Sequence, residues 1–471
     1  MRTTRRQTWL GAIALLVVTK LAVSVSVVHA QDAWIDKDEA TNYTARHEAS
    51  FVQAGDQFYL FGGRENARTL DVYDYTSNTW SRDRDARTPI EFNHFQATEY
   101  QGLIWVIGAF RTNSFPRETP AEAVYVFDPA NNAWMKGPSI PESRRRGSTG
   151  LVVHDDKFYV VGGNTVGHDG GFVSWFDEFD PQTGTWTPLS DAPRPRDHFH
   201  AEVANEKLYA IGGRRSGGPG GVFAPLVAEV DVYDFQSNTW STLRPASDLP
   251  TPRAAASVAK FDERILVIGG EGNGRAYDTV EALDPTTNTW ETLPSMNYRR
   301  HGTQAIVSGE GVYIAVGSPN QGGGNQRNME VFGRDEPAGS PSVAGVLSTL
   351  EAANIVVGSP EPIRMTHVGG NQGVFVEQIS ISGDNASDFS ITRGDADLFL
   401  IPIDGQRDIL VEYTGDIDNA TASLDIAFAG SQTMTVQLTG MLVPEPSSWM
   451  LLTIGVAGLS LSRARRCEAT R

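Results

Sequence analysis

Five copies of one short phrase constrain this chain more than any other feature. The copy Tyr233-Asp234-Phe235-Gln236-Ser237-Asn238-Thr239-Trp240 has counterparts ending at Trp80, Trp134, Trp186 and Trp290. In each, an Asp stands six residues before the Trp (Asp74, Asp128, Asp180, Asp234, Asp284), and Asn or Gly stands two before it (Asn78, Asn132, Gly184, Asn238, Asn288). Asp opens a turn by bonding to backbone two residues on, Asn or Gly tolerates the left-handed position, and the aromatic anchors the returning strand. The phrase predicts a β-hairpin, and five hairpins of one design predict five copies of one structural unit.

A second landmark repeats in step with the first. Short apolar runs end in small residues at Gly62-Gly63, Gly108-Ala109, Gly162-Gly163, Gly212-Gly213 and Gly269-Gly270, with a degraded sixth at Gly317-Ser318. Paired Gly inside a strand marks close backbone approach. A period of about fifty residues with four short strands per unit is the signature of a propeller blade. From each Trp to the next first Gly the gap is 26 to 29 residues, and the unpaired Trp34 stands 28 before Gly62. The strand Met329-Glu330-Val331-Phe332 has no Trp behind it, so the segment around Trp34 is expected to complete the last blade. That gives six blades sealed by the two ends of the domain, with no open sheet edge there.

The Gly-Gly pair, the spaced aromatic, the Trp, and Arg or His after it (Arg46-His47, Arg196 with His198, Arg300-His301) resemble kelch repeats. The resemblance covers residues 31–335 and implies a six-bladed kelch propeller. A fold of this kind hosts many sites, so function must be argued from particular residues.

From Gly pair to the following Trp the gaps vary: 18, 26, 24, 28 and 21. The variable loops therefore join second to third strands, all on one face, and Phe110–Ala123, Asn164–Val173 and Arg214–Ala228 are the longest. The last, with Gly217-Gly218-Pro219-Gly220-Gly221, is expected to be flexible. Residues just after the Gly pairs should converge on the channel mouth: Arg64, Phe110 with Arg111, Asn164, Arg214 with Arg215, and Glu271. Arginine forks beside a carboxylate would suit a carboxylated sugar or a polyol, with Glu271 as the one candidate general base. The alternative is that these side chains pair with one another or solvate the loops. His47, His94, His198 and His301 recur at similar positions, but a repeat spreads them on a circle, so no metal or other cofactor is expected.

Composition narrows the classes. The only cysteine of 471 residues is Cys467, which excludes disulfides and cysteine-based metal sites within the chain. It also excludes the copper-radical cofactor of the kelch-containing galactose oxidase, which needs a Tyr cross-linked to a Cys. A net charge of −18, with the basic residues clustered at the two ends, argues against nucleic acid as a partner.

Residues 1–30 have the basic start, apolar stretch and small-residue cleavage site of a secretory signal. Residues 336–345 are expected to be a linker. Over 346–442, alternating runs such as Val376–Ser382 and Ala422–Phe428 predict about seven strands of an Ig-like β-sandwich. Ile379–Gly383, Asp388–Ile391 and Leu438–Gly440 resemble Hydin-type or choice-of-anchor-D domains, which implies a spacer or adhesion role. Residues 443–471 carry Pro444-Glu445-Pro446, an apolar helix expected over 448–462, and Arg463, Arg465 and Arg466. These closely resemble a PEP-CTERM sorting signal. The resemblance implies export, a transient inner-membrane anchor, and handling by an exosortase on the way to the surface or matrix.

The expectation is thus an all-β, exported, surface-sorted kelch protein that binds a glycan or extracellular protein through its variable loops, without catalysis. The alternatives are a sugar-acting enzyme, such as the sialic-acid mutarotases also found among six-bladed bacterial kelch proteins, and a structural matrix component.

Overall fold

The computed structural model describes residues 33–37, 42–65, 67–83, 86–394, 398–429 and 432–443. The signal segment at 1–30, the apolar helix at 448–462, and Pro444, Glu445, Pro446, Arg463, Arg465 and Arg466 lie outside the described residues. Among the described residues the regular structure is β-strand with a few 3-10 turns, and no helix is long and apolar enough to cross a membrane.

The repeated phrase folds as its residue types require. Asp74, Asp180, Asp234 and Asp284 accept the backbone N–H two residues on at 2.7–3.0 Å. Asn78, Asn132, Gly184, Asn238 and Asn288 have φ between 51° and 69°. Four of the Trp indoles then tie their blade to the connection before it. Nε1 of Trp134, Trp240, Trp290 and Trp34 donates to the carbonyls of Ala86, Ser190, Ser247 and Pro294.

Six four-stranded antiparallel sheets result. Their innermost strands, Ala49–Ala54, Ala97–Tyr100, Gly150–His154, Ala201–Ala204, Ser257–Phe261 and Ala305–Ser308, touch one another in a closed circle. We number the blades 1 to 6 in that order. The outermost strand of blade 6 comes from the start of the domain: Trp34–Asp36 pairs antiparallel with Met329–Gly333, Trp34 opposite Phe332.

One to three residues before each inner strand the backbone turns left-handed, at Glu48, His94, Ser148, His198, Ala255 and Gly302, with φ from 50° to 66°. Each N–H from His94 to Gly302 donates to the carbonyl of the preceding member at 2.6–3.2 Å, and Ala49 N–H closes the loop onto Gly302 O at 3.3 Å. A ring of six backbone hydrogen bonds therefore encircles the propeller axis.

Two residues before five of these positions stands a buried arginine: Arg46, Arg146, Arg196, Arg253 and Arg300. Each pairs with a carboxylate on the third strand of its own blade, Asp71, Asp177, Asp231, Glu281 and Glu330 respectively. Each also donates to the backbone carbonyl sixteen residues on. In blade 2 the equivalent pair is Phe92 and Tyr125, edge to face at 5.2 Å. Basic residues are therefore not confined to the chain ends, contrary to expectation, because the blade design itself buries arginine.

The channel inside the inner strands is bridged where those strands begin. Gln96 accepts N–H bonds from Leu151 and Ala201 and donates to Ala201 O, while Gln304 exchanges two bonds with the Ala97 backbone. Beside these glutamines a cavity of about 330 Å³ includes Glu202 and Lys260 in its lining. The Glu202 carboxylate accepts the N–H groups of Val203 and Lys260, yet burial pushes its pKa up to about 7. A carboxyl raised on folding weakens the fold as pH climbs from its unfolded pKa through the folded one. Glu202→Gln is therefore expected to be neutral at pH 4 and stabilising at pH 8, by on the order of 2 kcal/mol, in urea melts at the two pH values.

Behind the propeller, two sheets of four and five strands pack face to face over one apolar cluster that includes Ile363, Val376, Ile409, Tyr413 and Leu424. Among the described residues nine strands are present rather than about seven. Ala352–Val356, with little alternation in its sequence, joins the second sheet by parallel pairing with Gln432–Met441. The 336–345 segment is pinned rather than free: Ala338 bonds to Ser308 and Gln53, and Val343 to Asn371. The sandwich docks on the hairpin turns of blades 2 and 3. Gly373 N donates to Gln101 O at 2.8 Å and Leu400 N to Pro181 O at 2.7 Å, while Phe375 and Leu400 share a core with Trp105. Strand alternation puts these turns on one face of the disc and the long loops on the other.

Candidate functional site

On the loop face a second ring lies outside the first. Arg64, Phe110, Asn164, Arg214, Glu271 and Ser318 each donate a backbone N–H to the residue just before the left-handed position, at 2.7–3.1 Å. The Gly pairs permit this approach. A Cβ on Gly63, Gly163, Gly213 or Gly270 would lie 2.5–2.9 Å from the facing carbonyl, and φ at these glycines is 91–106°.

Arg64, Asn164, Arg214 and Glu271 all belong to this second ring, but they do not line an open pocket. Arg214 and Glu271 are ion-paired and about 1% exposed. Glu271 also accepts the Gly322 N–H at 2.7 Å and lies 3.4 Å from His301. Burial opposes its ionisation, but His301 and Arg214 outweigh burial and hold its pKa below the usual range. Arg64 is bound to Glu118 at 2.5 Å. Asn164 is buried with neither side-chain polar atom hydrogen-bonded to protein. Arg111 stays outside, in an exposed pair with Glu122. Arg215 is half-buried at the root of its loop, its backbone bonded to Pro225 and Gly218.

The loops close over this centre. Phe115 lies 5.0 Å from the His168 ring and 5.8 Å from the Arg64 guanidinium, and Phe223 lies 5.1 Å from that of Arg214. The 214–228 loop is braced at its root, while Gly217, Pro219, Gly220 and Gly221 are exposed as expected. Hydrogen bonds join Gly217 to Gly221 and Gly221 to Gly218, Ser216 is fully buried, and Gly217 rests against the Asp169–Gly170 backbone. Gly217 and Gly218 serve close contact, whereas Gly221 has open space around it.

Beneath the loops lie charged residues that the repeat pattern did not single out. His168 comes from a 3-10 turn in the blade 3 loop, Glu118 from the blade 2 loop, and Glu48 and Asp197 from the connections into blades 1 and 4. The four recurring histidines occupy two stations, not one: His94 and His198 belong to the axial ring, His47 and His301 stand one residue earlier. His301 lies 3.5 Å from Glu48 and 3.4 Å from Glu271. Burial opposes its charge, but Glu271 and Glu48 raise its pKa. The reciprocal effect brings Glu48 down to about 2 against its own burial. Burial, reinforced by Arg64 at His94 and by Arg214 at His198, drops both of those histidines well below the ordinary value and keeps them neutral. Of the described residues, His94, His168 and His198 form the one group placed to share a metal ion, with a ligand nitrogen of each within 4.8 Å of the others.

Residues 139–317 match the KLHDC2/KLHL20/DRC7 Kelch-repeats domain, and 442–466 match the PEP-CTERM protein-sorting motif. The chain carries kelch repeats and a PEP-CTERM tail. Among curated relatives, the kelch part is 31% identical over 278 residues to Kelch-like protein terF of Aspergillus terreus, covering 56% of this chain and 59% of that protein. It is 26% identical to mouse Kelch-like protein 35, over 58% of this chain and 44% of the other. The chain thus spans less than two thirds of either relative. The solved structure of YjhT matches with a TM-score of 0.53 at 16% identity, covering 63% of this chain and 97% of YjhT, a likeness of fold. The sorting motif marks this kelch protein for export and delivery to the cell envelope or surface.

Proposed function

We propose that this kelch protein is a surface-sorted binding module that engages an extracellular glycan or protein through the outer side of its loops. The burial of Glu271 carries this reading. The one carboxylate suited by sequence to act as base is about 1% exposed and paired with Arg214. A base must reach the proton it removes, and the loops stand between Glu271 and solvent. What faces outward instead is Phe115, 57% exposed, with Arg117, Val166 and the Gly217–Gly221 tip. Exposed aromatic and arginine side chains are the residue types that anchor recognition surfaces.

The sandwich supports the same reading. Gln432 bonds to Asn131 at the turn face, and the strand it begins runs to Met441. Ten residues of strand span about 30 Å. The sorting tail therefore starts well away from the propeller, on the side opposite the loops.

Calorimetry against polysaccharides and secreted proteins tests this. A ligand bound by the wild type is expected to lose at least tenfold in affinity in the Phe115→Ala, Arg117→Ala double variant. Anomer or epimer interconversion of a sugar that is abolished in Glu271→Gln would overturn the reading in favour of catalysis.

A further inference from the structure

We infer that His94, His168 and His198 form a three-histidine site for a late first-row divalent cation, of the zinc type, on the propeller axis beneath the loops. The ring centroids make a near-equilateral triangle with sides of 4.7, 4.7 and 5.0 Å. All three residues are at most 4% exposed.

The surroundings are those of metal ligands rather than of three core histidines. Nδ1 of His94 lies 2.6 Å from Asn93 Oδ1, Nδ1 of His198 lies 2.5 Å from Asp197 Oδ1, and Nδ1 of His168 lies 3.0 Å from Glu118 Oε1. An acceptor on one ring nitrogen fixes the tautomer and leaves the lone pair on the other, which is how metal-binding histidines are oriented. His198 Nε2 is buried without any protein partner. Around His94 Nε2, Glu48 Oε1 and Arg64 stand 3.5 Å away, so a carboxylate is at hand for a fourth position. Three carboxylates touch the trio, Glu48, Glu118 and Asp197, and the guanidinium of Arg64 stands beside His94.

Imidazole nitrogens suit Zn²⁺, Co²⁺, Ni²⁺ and Cu²⁺ over the oxygen-preferring Mg²⁺ and Ca²⁺. Tetrahedral ligands at 2.0–2.1 Å from zinc are about 3.4 Å apart, so the nitrogens need to draw in by about 1.4 Å at most. His168 sits on a loop and supplies that adjustment, while His94 and His198 are held by the backbone ring.

The test is metal binding by the chelator-treated protein. Zn²⁺ titrated by calorimetry is expected to bind at one ion per chain, and Co²⁺ to give the intense visible bands of a low-coordinate centre. His168→Ala and His198→Ala should each weaken Zn²⁺ at least about 100-fold, Glu118→Gln about tenfold by freeing the His168 ring, and His154→Ala not at all. Zn²⁺ should raise the melting temperature of the wild type and not that of His168→Ala, whose substitution lies outside the blades and leaves its own cooperative melt in place. Zn²⁺ bound no more tightly by the wild type than by His168→Ala, or Co²⁺ giving only the weak bands of a hydrated ion, overturns the inference.

Discussion

Arg196→Ala is expected to lower the melting temperature of the propeller by on the order of 10 °C, reflecting a loss of about 3–5 kcal/mol. The guanidinium is 1% exposed and paired with Asp231, and it donates to the carbonyls of Ala210, Gly212 and Glu229. Removing it leaves Asp231, also fully buried, with only Arg194 and Thr242 for partners, and strands the three carbonyls. The pair itself need not be worth that much, because burying two charges is expensive to begin with. Blade 2 makes the point by filling the same two stations with Phe92 and Tyr125. Arg196→Phe combined with Asp231→Tyr is accordingly expected to recover at least half of the loss. Equal destabilisation by the single and double changes in thermal melts would mean that the carbonyl bonds, not the stranded carboxylate, dominate.

Deleting residues 31–37 should have a still larger effect. Trp34 is 6% exposed, packs 5.4 Å from Phe332, and donates its indole N–H to Pro294. Trp34→Ala alone is expected to cost about 3–5 kcal/mol. The full deletion also strips Met329–Gly333 of its outer neighbour, and an open edge of this kind seeks another strand. Loss of a single cooperative transition, together with concentration-dependent association in sedimentation, is the expected result. A deletion variant that melts as one monomeric unit close to the wild-type temperature would contradict the closure of blade 6 by its first strand.

The features legible in the sequence were those enforced by local backbone chemistry. Asp74 through Trp80 and its copies declare a hairpin because turn residues act within a few positions of themselves. The Gly pairs likewise declare a close approach. The arginine staples were legible in principle, since Arg146 and Arg253 keep the same sixteen-residue distance to a glycine as Arg46 and Arg196, but their acidic partners lie across variable loops. The centre of the loop face was harder for the same reason. Glu118 and His168 sit in segments whose length differs from blade to blade, and no period points to them. Arg64, Arg214 and Glu271 were found by position, yet whether such charges face a ligand or one another depends on loop folding, which repeat spacing does not encode.

The hydrogen-bonded hoop around the axis uses only main-chain N–H and C=O groups. Its six stations therefore act as sockets whose occupants can change while the frame stays put. Glu48, His94, Ser148 and His198 already exhibit three chemistries on one frame. Gly302 is the exception, since a Cβ there would lie 2.9 Å from the Glu48 backbone nitrogen and carboxyl carbon. Ser148, seated between His94 and His198, offers the natural point at which a single substitution could re-equip the axis without rebuilding the wheel.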